Sequence, residues 1–351
     1  MAPLEIGLIY ETFETYPARA DDPPDAAVEY EPESTIVALE EAIARLGHRP
    51  RRLGSPHALL ARLATGGGDA LAAGGRESLA KVLGVDAAFN LAEGHGGRNR
   101  EAWAPVLLEM AGVPTLGSDA LSLSLSLDKA WANRWVAAGG LRVAAQGEMS
   151  TGREALEGPL PADFPLFVKP RWEGTAKGIR ATSRVASREA LAREVERIRR
   201  DYRQPALVEE FVSGPEYTVT VVGNAPPRAW PVVQRALDRE TRIGLHALEG
   251  PGRPSPSAAL APLVEGVLEP ELESRLGNLA VRAFQLFGCH DFARVDFRLD
   301  AADEPVFLEI NPLPTFATDG TFAILAELEG CSLAEMLGRC IRAGLERLGL
   351  A

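Results

Sequence analysis

The chain has 351 residues, 46% of them hydrophobic and 25% charged, with 37 Lys and Arg against 49 Asp and Glu for a net charge of −12. The negative balance argues against nucleic acid as the main partner, and the composition fits a soluble globular protein of two or three domains. The start reaches Glu5 without a basic-then-apolar leader, no apolar run approaches membrane-spanning length, and Cys289, Cys331 and Cys340 show no CxxC spacing, so a cytoplasmic location is expected.

In chain order, Leu4 to Tyr10 is a short apolar run suited to a buried strand, followed by a polar loop from Glu11 to Pro32. Glu33 to His48 has helical periodicity, with Ile36, Leu39, Ile43 and Leu46 on one face, Ser34 as a candidate N-cap and Gly47 as a stop. Ala87–Leu91 and Pro114–Leu116 read as strands, so the first 120 or so residues suggest an open α/β lobe. Leu121–Leu127 (LSLSLSL) alternates with period two, yet the helix-like run from Asp128 to Ala138 continues it and argues against a strand. Strand PLFVKP from Pro165 leads into the loop RWEGTAKG. A capped helix covers Ser187 to Asp201, and Pro205 to Asn224 holds two strands around SGPE. Gly250 to Pro262 is rich in Pro, Gly and Ser and reads as a mobile loop. Helices are expected over Glu269–Phe287 and Leu333–Leu348, and no internal repeat appears.

The stretch Ala293 to Pro314 carries the most chemistry. Val295, Phe297 and Leu299 alternate with Arg294, Asp296 and Arg298; a polar turn follows, then Val306-Phe307-Leu308. Paired antiparallel strands can bring Asp296, Glu309 and Asn311 around one point, a hard-oxygen set of the kind Mg²⁺ takes alongside phosphates. The alternative is an ordinary hairpin with a wet polar face. Lys169 precedes GTAKG, where Gly174 and Gly178 let backbone N–H groups approach an anion. Glu209 and Glu216 flank FVSGP, where they are either nucleotide ligands or plain strand-end acids.

Taken together, GSD (Gly117), LDK (Lys129), FVKP with its glycine loop (Lys169), VEEFVSGPEYTV, RVDF (Asp296) and LEINPLP (Glu309, Asn311) resemble, in order, the ATP-grasp superfamily, specifically its D-alanine–D-alanine ligase branch. The resemblance covers roughly residues 85 to 345. It implies an α/β ATP-grasp fold with an N-terminal open α/β lobe over 1–127, a small lobe over 128–211 and a large lobe with the metal site over 212–351. It further implies that Lys129 and Lys169 contact ATP phosphates, and that Glu209 takes the adenine amino group, the backbone near Val212 the ring, and Glu216 the ribose. Asp296, Glu309 and Asn311 would hold Mg²⁺ or Mn²⁺, Arg294 would stabilise an acyl phosphate and the tetrahedral oxyanion, and Thr175 stands at a loop-serine position near the substrates. The implied activity joins a carboxylate to an amine through an acyl phosphate, releasing ADP and phosphate. Small-molecule substrates are implied, and a homodimer, since family members are commonly dimers.

The departures concern the substrates. After Asn311 the sequence runs PLPTFATDGTFA, with Gly320-Thr321 where a Ser-Leu pair recognises the acceptor carboxylate. FNLAEGHGGRNREAW, with Glu93, His95, Arg98, Arg100 and Glu101, replaces a less charged segment. RALDRETRIGLHALEG stands where a Tyr- and Lys-bearing loop covers the nucleotide, with Arg239 or Arg242 as substitutes. The N-terminal glutamate that orients the first substrate is either Glu11 or Glu33. Arg98 and Arg100 are either a carboxylate clamp or partners of Glu101, and NREAW is expected to start a helix. His95 is either catalytic or an ordinary loop histidine. Trp103, Trp131, Trp172 and Cys289 are read as packing, with Trp172 also placed to cap the nucleotide. These changes favour a ligase with a different acceptor over a true D-alanine–D-alanine ligase. A non-catalytic ATP-binding module would not need the full set of phosphate and metal residues, and a dehydrogenase lacks a GxGxxG after the first strand.

Overall fold

A computed structural model of the chain describes residues 2–66, 76–249, 262–264 and 268–351. The first sheet is wholly parallel, in the order β2-β1-β3-β4, from β1 (Glu5–Ile9), β2 (Arg49–Gly54), β3 (Ala87–Asn90) and β4 (Thr115–Leu116). Helices α1 (Glu33–Arg45), α2 (Pro56–Gly66), α3 (Arg76–Leu83) and α4 (Trp103–Ala111) cover it. Ile6, Leu8 and Ile9 are fully buried, as expected where both faces of a parallel sheet are covered and its strands read as unbroken apolar runs. Helix α1 begins without the expected cap: Pro32 holds the N-cap position and no side chain caps it, Ser34 lying inside the first turn. Gly47, at φ 84°, ends it as the sequence suggested.

LSLSLSL is helical within α5 (Ala120–Leu127), and α6 (Lys129–Ala138) follows. Asp119 and Asp128 cap the two helices, each accepting from a backbone N–H three residues on. The serines that give the period-two pattern are satisfied from the helix: Ser122 donates to the Phe287 carbonyl (2.9 Å) and Ser126 to Leu123 (3.0 Å). A hydroxyl with such a partner can be buried in a helix, which removes the need for a wet strand face.

The second sheet, β5-β8-β6-β7, is antiparallel and contains β5 (Gln146–Met149), β6 (Leu166–Pro170), β7 (Arg184–Val185) and β8 (Ala206–Glu210). Helices α7 (Gly152–Glu157) and α8 (Arg188–Tyr202) pack with it, α8 capped by Ser187. The third sheet runs β10-β9-β14-β15, from β9 (Glu216–Val222), β10 (Arg228–Ala229), β14 (Phe292–Leu299) and β15 (Pro305–Asn311). Strand β11 (Val233–Arg235) also pairs with β9, while β12 (Leu237–Asp238) and β13 (Pro262–Leu263) form a separate pair. Helix α9 (Leu245–Leu248) is short and α10 (Pro270–Leu286) long. The expected mobile loop after Gly250 lies, up to residue 261, outside the described residues.

The last two helices, α11 (Thr321–Leu328) and α12 (Leu333–Arg347), return to the first sheet: Met336, Leu337, Cys340 and Ile341 share a core with Ile36, Leu39 and Ile43 of α1. Asp291, fully buried, joins the first and third sheets. It accepts from the Gly117 N–H (2.7 Å), from Arg347 Nε (2.7 Å) and from Asn224 (3.0 Å). These bonds satisfy a buried carboxylate that would otherwise be costly.

Candidate active site

A cavity of about 380 Å³ lies between the second and third sheets, lined by residues that include Lys129, Lys169, Glu209, Val212, Glu216, Arg294, Asp296 and Glu309. Its floor is the β14–β15 hairpin. Asp296 and Glu309 are cross-strand neighbours, as are Arg294 and Asn311, and the register shifts just after Asp296. The bulge turns the strand at the point where the two carboxylates meet. Arg294 lies 3.0 Å from Asp296 and 3.6 Å from Glu309; Lys129 lies 3.4 Å from Glu309. Thr218 donates to the other oxygen of Asp296 (2.7 Å), and Asn311 to Glu309 (3.2 Å). Burial pushes the Glu309 carboxyl up, but the charges of Lys129, Arg294 and Lys169 outweigh it and hold it at about 2. Burial likewise opposes the Arg294 charge, and Asp296 and Glu309 more than restore it.

Could this floor hold a metal? Among the described residues no three His, Cys, Asp or Glu side chains converge as a self-sufficient metal cage. Two carboxylates and a carboxamide on one hairpin instead suit a hard divalent ion that takes further oxygens from a phosphate. The donor set therefore fits Mg²⁺ bound together with a nucleotide.

On the side walls, Lys169 of β6 pairs with Glu209 of β8 at 2.7 Å, and Asn133 of α6 donates to the same carboxylate at 2.9 Å. Lys129, at the start of α6, also donates to the Glu173 carbonyl at 2.5 Å, tying it to the glycine loop. Glu216 is engaged by an unforeseen residue. Arg298 Nη2 donates to one of its oxygens at 2.7 Å, and Arg298 Nη1 to the Val212 carbonyl at 2.9 Å. Burial raises the Glu216 pKa and Arg298 more than offsets that, so the carboxyl sits below its usual range.

The glycine loop corrects the sequence reading. Its N–H groups do face anions, but these belong to the chain itself. Gly174 N–H donates to Glu29 (2.5 Å) and Gly178 N–H to Asp25 (2.8 Å). Gly178 has φ 80°, and a Cβ there would collide with Pro170. Thr175 and Ala176, at φ 47° and 53°, hold the left-handed conformation that costs non-glycine residues energy. Thr175 lines the cavity as expected. The segment 11–32, expected as a polar loop, buries Glu11, Asp25, Glu29 and Glu31 and straps the glycine loop down.

Around Glu29 the strap forms a buried ion network. Arg100 reaches Glu29 at 2.5 Å and the Trp172 carbonyl at 2.6 Å, and Lys177 reaches Glu29 at 3.0 Å and Glu173 at 2.9 Å. Burial works against the Glu29 charge, yet Arg100 and Lys177 hold its pKa at about 2. Glu101 nearby is pushed up to about 7 by burial, which Arg100 offsets only in part. Arg100 is thus spent inside the protein, on Glu29 rather than Glu101, while exposed Arg98 sits 3.6 Å from Asp128. Arg100 opens a 3-10 turn, Arg100–Ala102, that runs into α4. His95 packs edge-on against Tyr16. Trp172 donates to Asp128 (3.1 Å) and is not among the residues that line the cavity, and Cys289 is buried.

Neither expected N-terminal acid reaches the cavity mouth. Glu11 accepts from the Gly94 N–H at 2.8 Å, and Glu33 pairs with Arg52 on the surface at 2.5 Å. The acid beside the turn after Asn311 is Glu31, which accepts from the Phe316 N–H (3.1 Å) and from Thr35 (2.9 Å). Pro32 is the signal that would have found it, because it ends the extended chain and leaves Glu31 just ahead of the helix. Arg242 donates to the Ser213 carbonyl at 2.9 Å and Arg239 is exposed; the arginine of that region that lines the cavity is Arg235.

Residues 157–342 match the family model described as the D-ala D-ala ligase C-terminus. An uncharacterized protein of Sinorhizobium fredii is 32% identical over 266 residues, 74% of each chain. A D-alanine–D-alanine ligase of Desulforudis audaxviator is 29% identical over 255 residues, 72% of this chain and 80% of its own. The crystal structure of the VanG D-Ala:D-Ser ligase from Enterococcus faecalis superposes with a TM-score of 0.70 at 20% identity, over 97% of this chain and 99% of that one. The α/β ATP-grasp architecture expected from the motifs is the one found.

Proposed function

This chain belongs to the D-alanine–D-alanine ligase family, and from that premise we propose how its residues run an ATP-dependent ligation of a carboxylate to an amine. The observation that carries the reading is the hairpin floor, where Asp296 and Glu309 face each other with Arg294 and Lys129 within 3.6 Å. Such a floor suits phosphoryl transfer, in which catalysis is mostly positioning and charge neutralisation. Mg²⁺ held by Asp296, Glu309 and Asn311 would orient the nucleotide phosphates and offset their charge.

Lys169 and Lys129 neutralise the phosphates from the side walls. Glu209 and the backbone at Val212 take the adenine, and Glu216, held by Arg298, the ribose. A substrate carboxylate oxygen attacks the terminal phosphorus of ATP, the bond to ADP breaks, and an acyl phosphate forms. The amine then attacks the acyl carbon; the C–N bond forms, phosphate leaves and the amine proton passes to solvent. Arg294, buried and ionised, stands beside the oxyanion of that second step. The glycine loop, with Thr175 facing the cavity, shields the acyl phosphate from water.

The charged strap and the Gly320-Thr321 turn favour an acceptor other than D-alanine, with the true D-alanine–D-alanine ligase as the second reading. Small substrates, a cytoplasmic setting and a homodimer complete the proposal; sedimentation of the purified protein tests the last. The central test is ADP and phosphate release with Mg²⁺ over a panel of D- and L-amino acids, singly and in pairs, beside Asp296→Asn. Release with D-alanine alone restores the second reading. Release with another pair names the substrates. ATP binding with no release from any pair points to a non-catalytic module.

A further inference from the structure

We propose that Arg235 is a specificity-determining residue that receives a free carboxylate on the amine-bearing substrate, so that the acceptor is an amino acid or peptide rather than a simple amine. The inference rests on the ligase reading above. Arg235 ends the short strand β11, opposite Glu216 of β9. Its Nε donates to Thr218 Oγ1 at 3.1 Å and its Nη2 to Thr321 Oγ1 at 2.5 Å. The guanidinium thus spans from the metal floor to the turn at Gly320-Thr321, and both ends of that span line the same cavity.

What sets Arg235 apart is its company. Lys129, Lys169, Arg294 and Arg298 each have a carboxylate of the chain within 3.4 Å. Arg235, among the described residues, has two hydroxyls and no ion-pair partner. A hydroxyl accepts a hydrogen bond but does not neutralise a charge, and Thr218 already gives its own proton to Asp296. Burial and the neighbouring Arg294 work against the Arg235 charge, and Asp296 and Glu216, neither of them an ion-pair partner, offset this only in part. A largely desolvated guanidinium beside a second one is a costly arrangement that a bound anion relieves. The two hydroxyls fix its orientation, and Nη1 is left to bond an incoming oxygen.

Two anions are available, the ATP phosphates and a substrate carboxylate, and position separates them. The phosphate-facing lysines come from α6 and β6, on the Glu309 side of the floor. Arg235 approaches through Thr218, on the Asp296 side, and ends at the turn. The amine adds to a face of the planar acyl carbon, and with the phosphate leaving group and ADP filling the lysine side, the room for the rest of the acceptor lies on the other side. That is the side where Arg235 waits, and the N-terminal end of α11 at Thr321 adds a favourable field for negative charge.

The test separates acceptor binding from acyl-phosphate formation. Hydroxylamine is a nucleophile without a carboxylate, so donor-dependent hydroxamate formation reports activation of the first acid alone. With the donor and acceptor that the amino-acid panel identifies, Arg235→Gln should raise the acceptor KM at least about tenfold, the worth of a charge-assisted hydrogen bond. The ATP KM and hydroxamate formation should change far less, and the acceptor's carboxamide analogue should be used poorly by the wild type. Arg235→Lys, which keeps the charge without the fork, should fall between. A rise in ATP KM with the acceptor KM unmoved would make Arg235 a phosphate cation and overturn the proposal. So would a wild type that uses the carboxamide as well as the acid. If Arg235→Gln does not fold, the same split is read from Arg235→Lys, and an equal loss of hydroxamate and acceptor turnover there rejects the idea. A wild type that forms neither hydroxamate nor ADP with any acid defeats the ligase reading first, and this proposal with it.

Discussion

The hairpin floor and the glycine loop use the same residue types to opposite ends. On the floor, Asp296 and Glu309 share Arg294, and Lys129 faces Glu309, across an open cavity, so a ligand can enter their field. In the loop, the N–H groups of Gly174 and Gly178 and the charge of Lys177 are already taken by Asp25 and Glu29 of the strap. One region holds its charge ready for a substrate, and the other uses it for internal order. The lesson is that a glycine-and-lysine loop is not an anion site until its partners are known.

The largest effect should come from the floor. Asp296→Asn or Glu309→Gln should lower ADP release by at least about a thousandfold with little change in melting temperature, since each removes negative charge where phosphate and metal must be held. Comparable activity in these variants would erase the distinction. The strap should behave in the opposite way. Glu29→Ala leaves Arg100 and Lys177 buried without their shared partner and should cost about 3 kcal/mol of stability, read by denaturant unfolding. Loss of activity at full stability would show that the loop, too, works directly on substrate.

Smaller effects follow from pH. Glu29 has a pKa depressed to about 2, so its contribution is complete above the usual carboxylate range and fades as pH falls toward 2. Glu101 has the opposite sign. Raised to about 7, it stays protonated in the fold where the unfolded chain would ionise it, so stability declines as pH rises from about 5 to 7. Glu101→Gln should flatten that decline in a series of thermal melts. Smallest of all, Arg98→Ala removes an exposed guanidinium 3.6 Å from an Asp128 already paired with Arg171 at 2.6 Å, and should shift stability by less than about 0.5 kcal/mol.

The contrast also explains what the sequence could reveal. Asp296, Glu309 and Asn311 lie within 16 residues on two adjoining strands, and alternation plus a turn suffices to bring them together. Lys129 and Lys169 were legible through the short motifs LDK and FVKP that carry the family resemblance, not through periodicity. The strap was not: Gly174 and Glu29 are 145 residues apart, and nothing in DDPPDAAVEYEP distinguishes acids that face water from acids that face a loop. Glu33 was a natural choice over Glu31 because helical periodicity includes it, and that membership is what turns it outward to Arg52. Arg235 escaped because β11 has only three residues, too few for a pattern.

The strap leaves and rejoins the first lobe through a narrow neck. Thr12 and Glu31 form a bridge, with Phe13 N–H on the Glu31 carbonyl (3.3 Å) and Glu31 N–H on that of Glu11 (3.2 Å). An excursion closed at its own base leaves the register of the first sheet independent of its length. Residues 13–30 are nonetheless bound to the rest of the chain through Asp25 and Glu29, so a change in this segment is felt first in how firmly the glycine loop is held, while the hairpin floor keeps its own pairing.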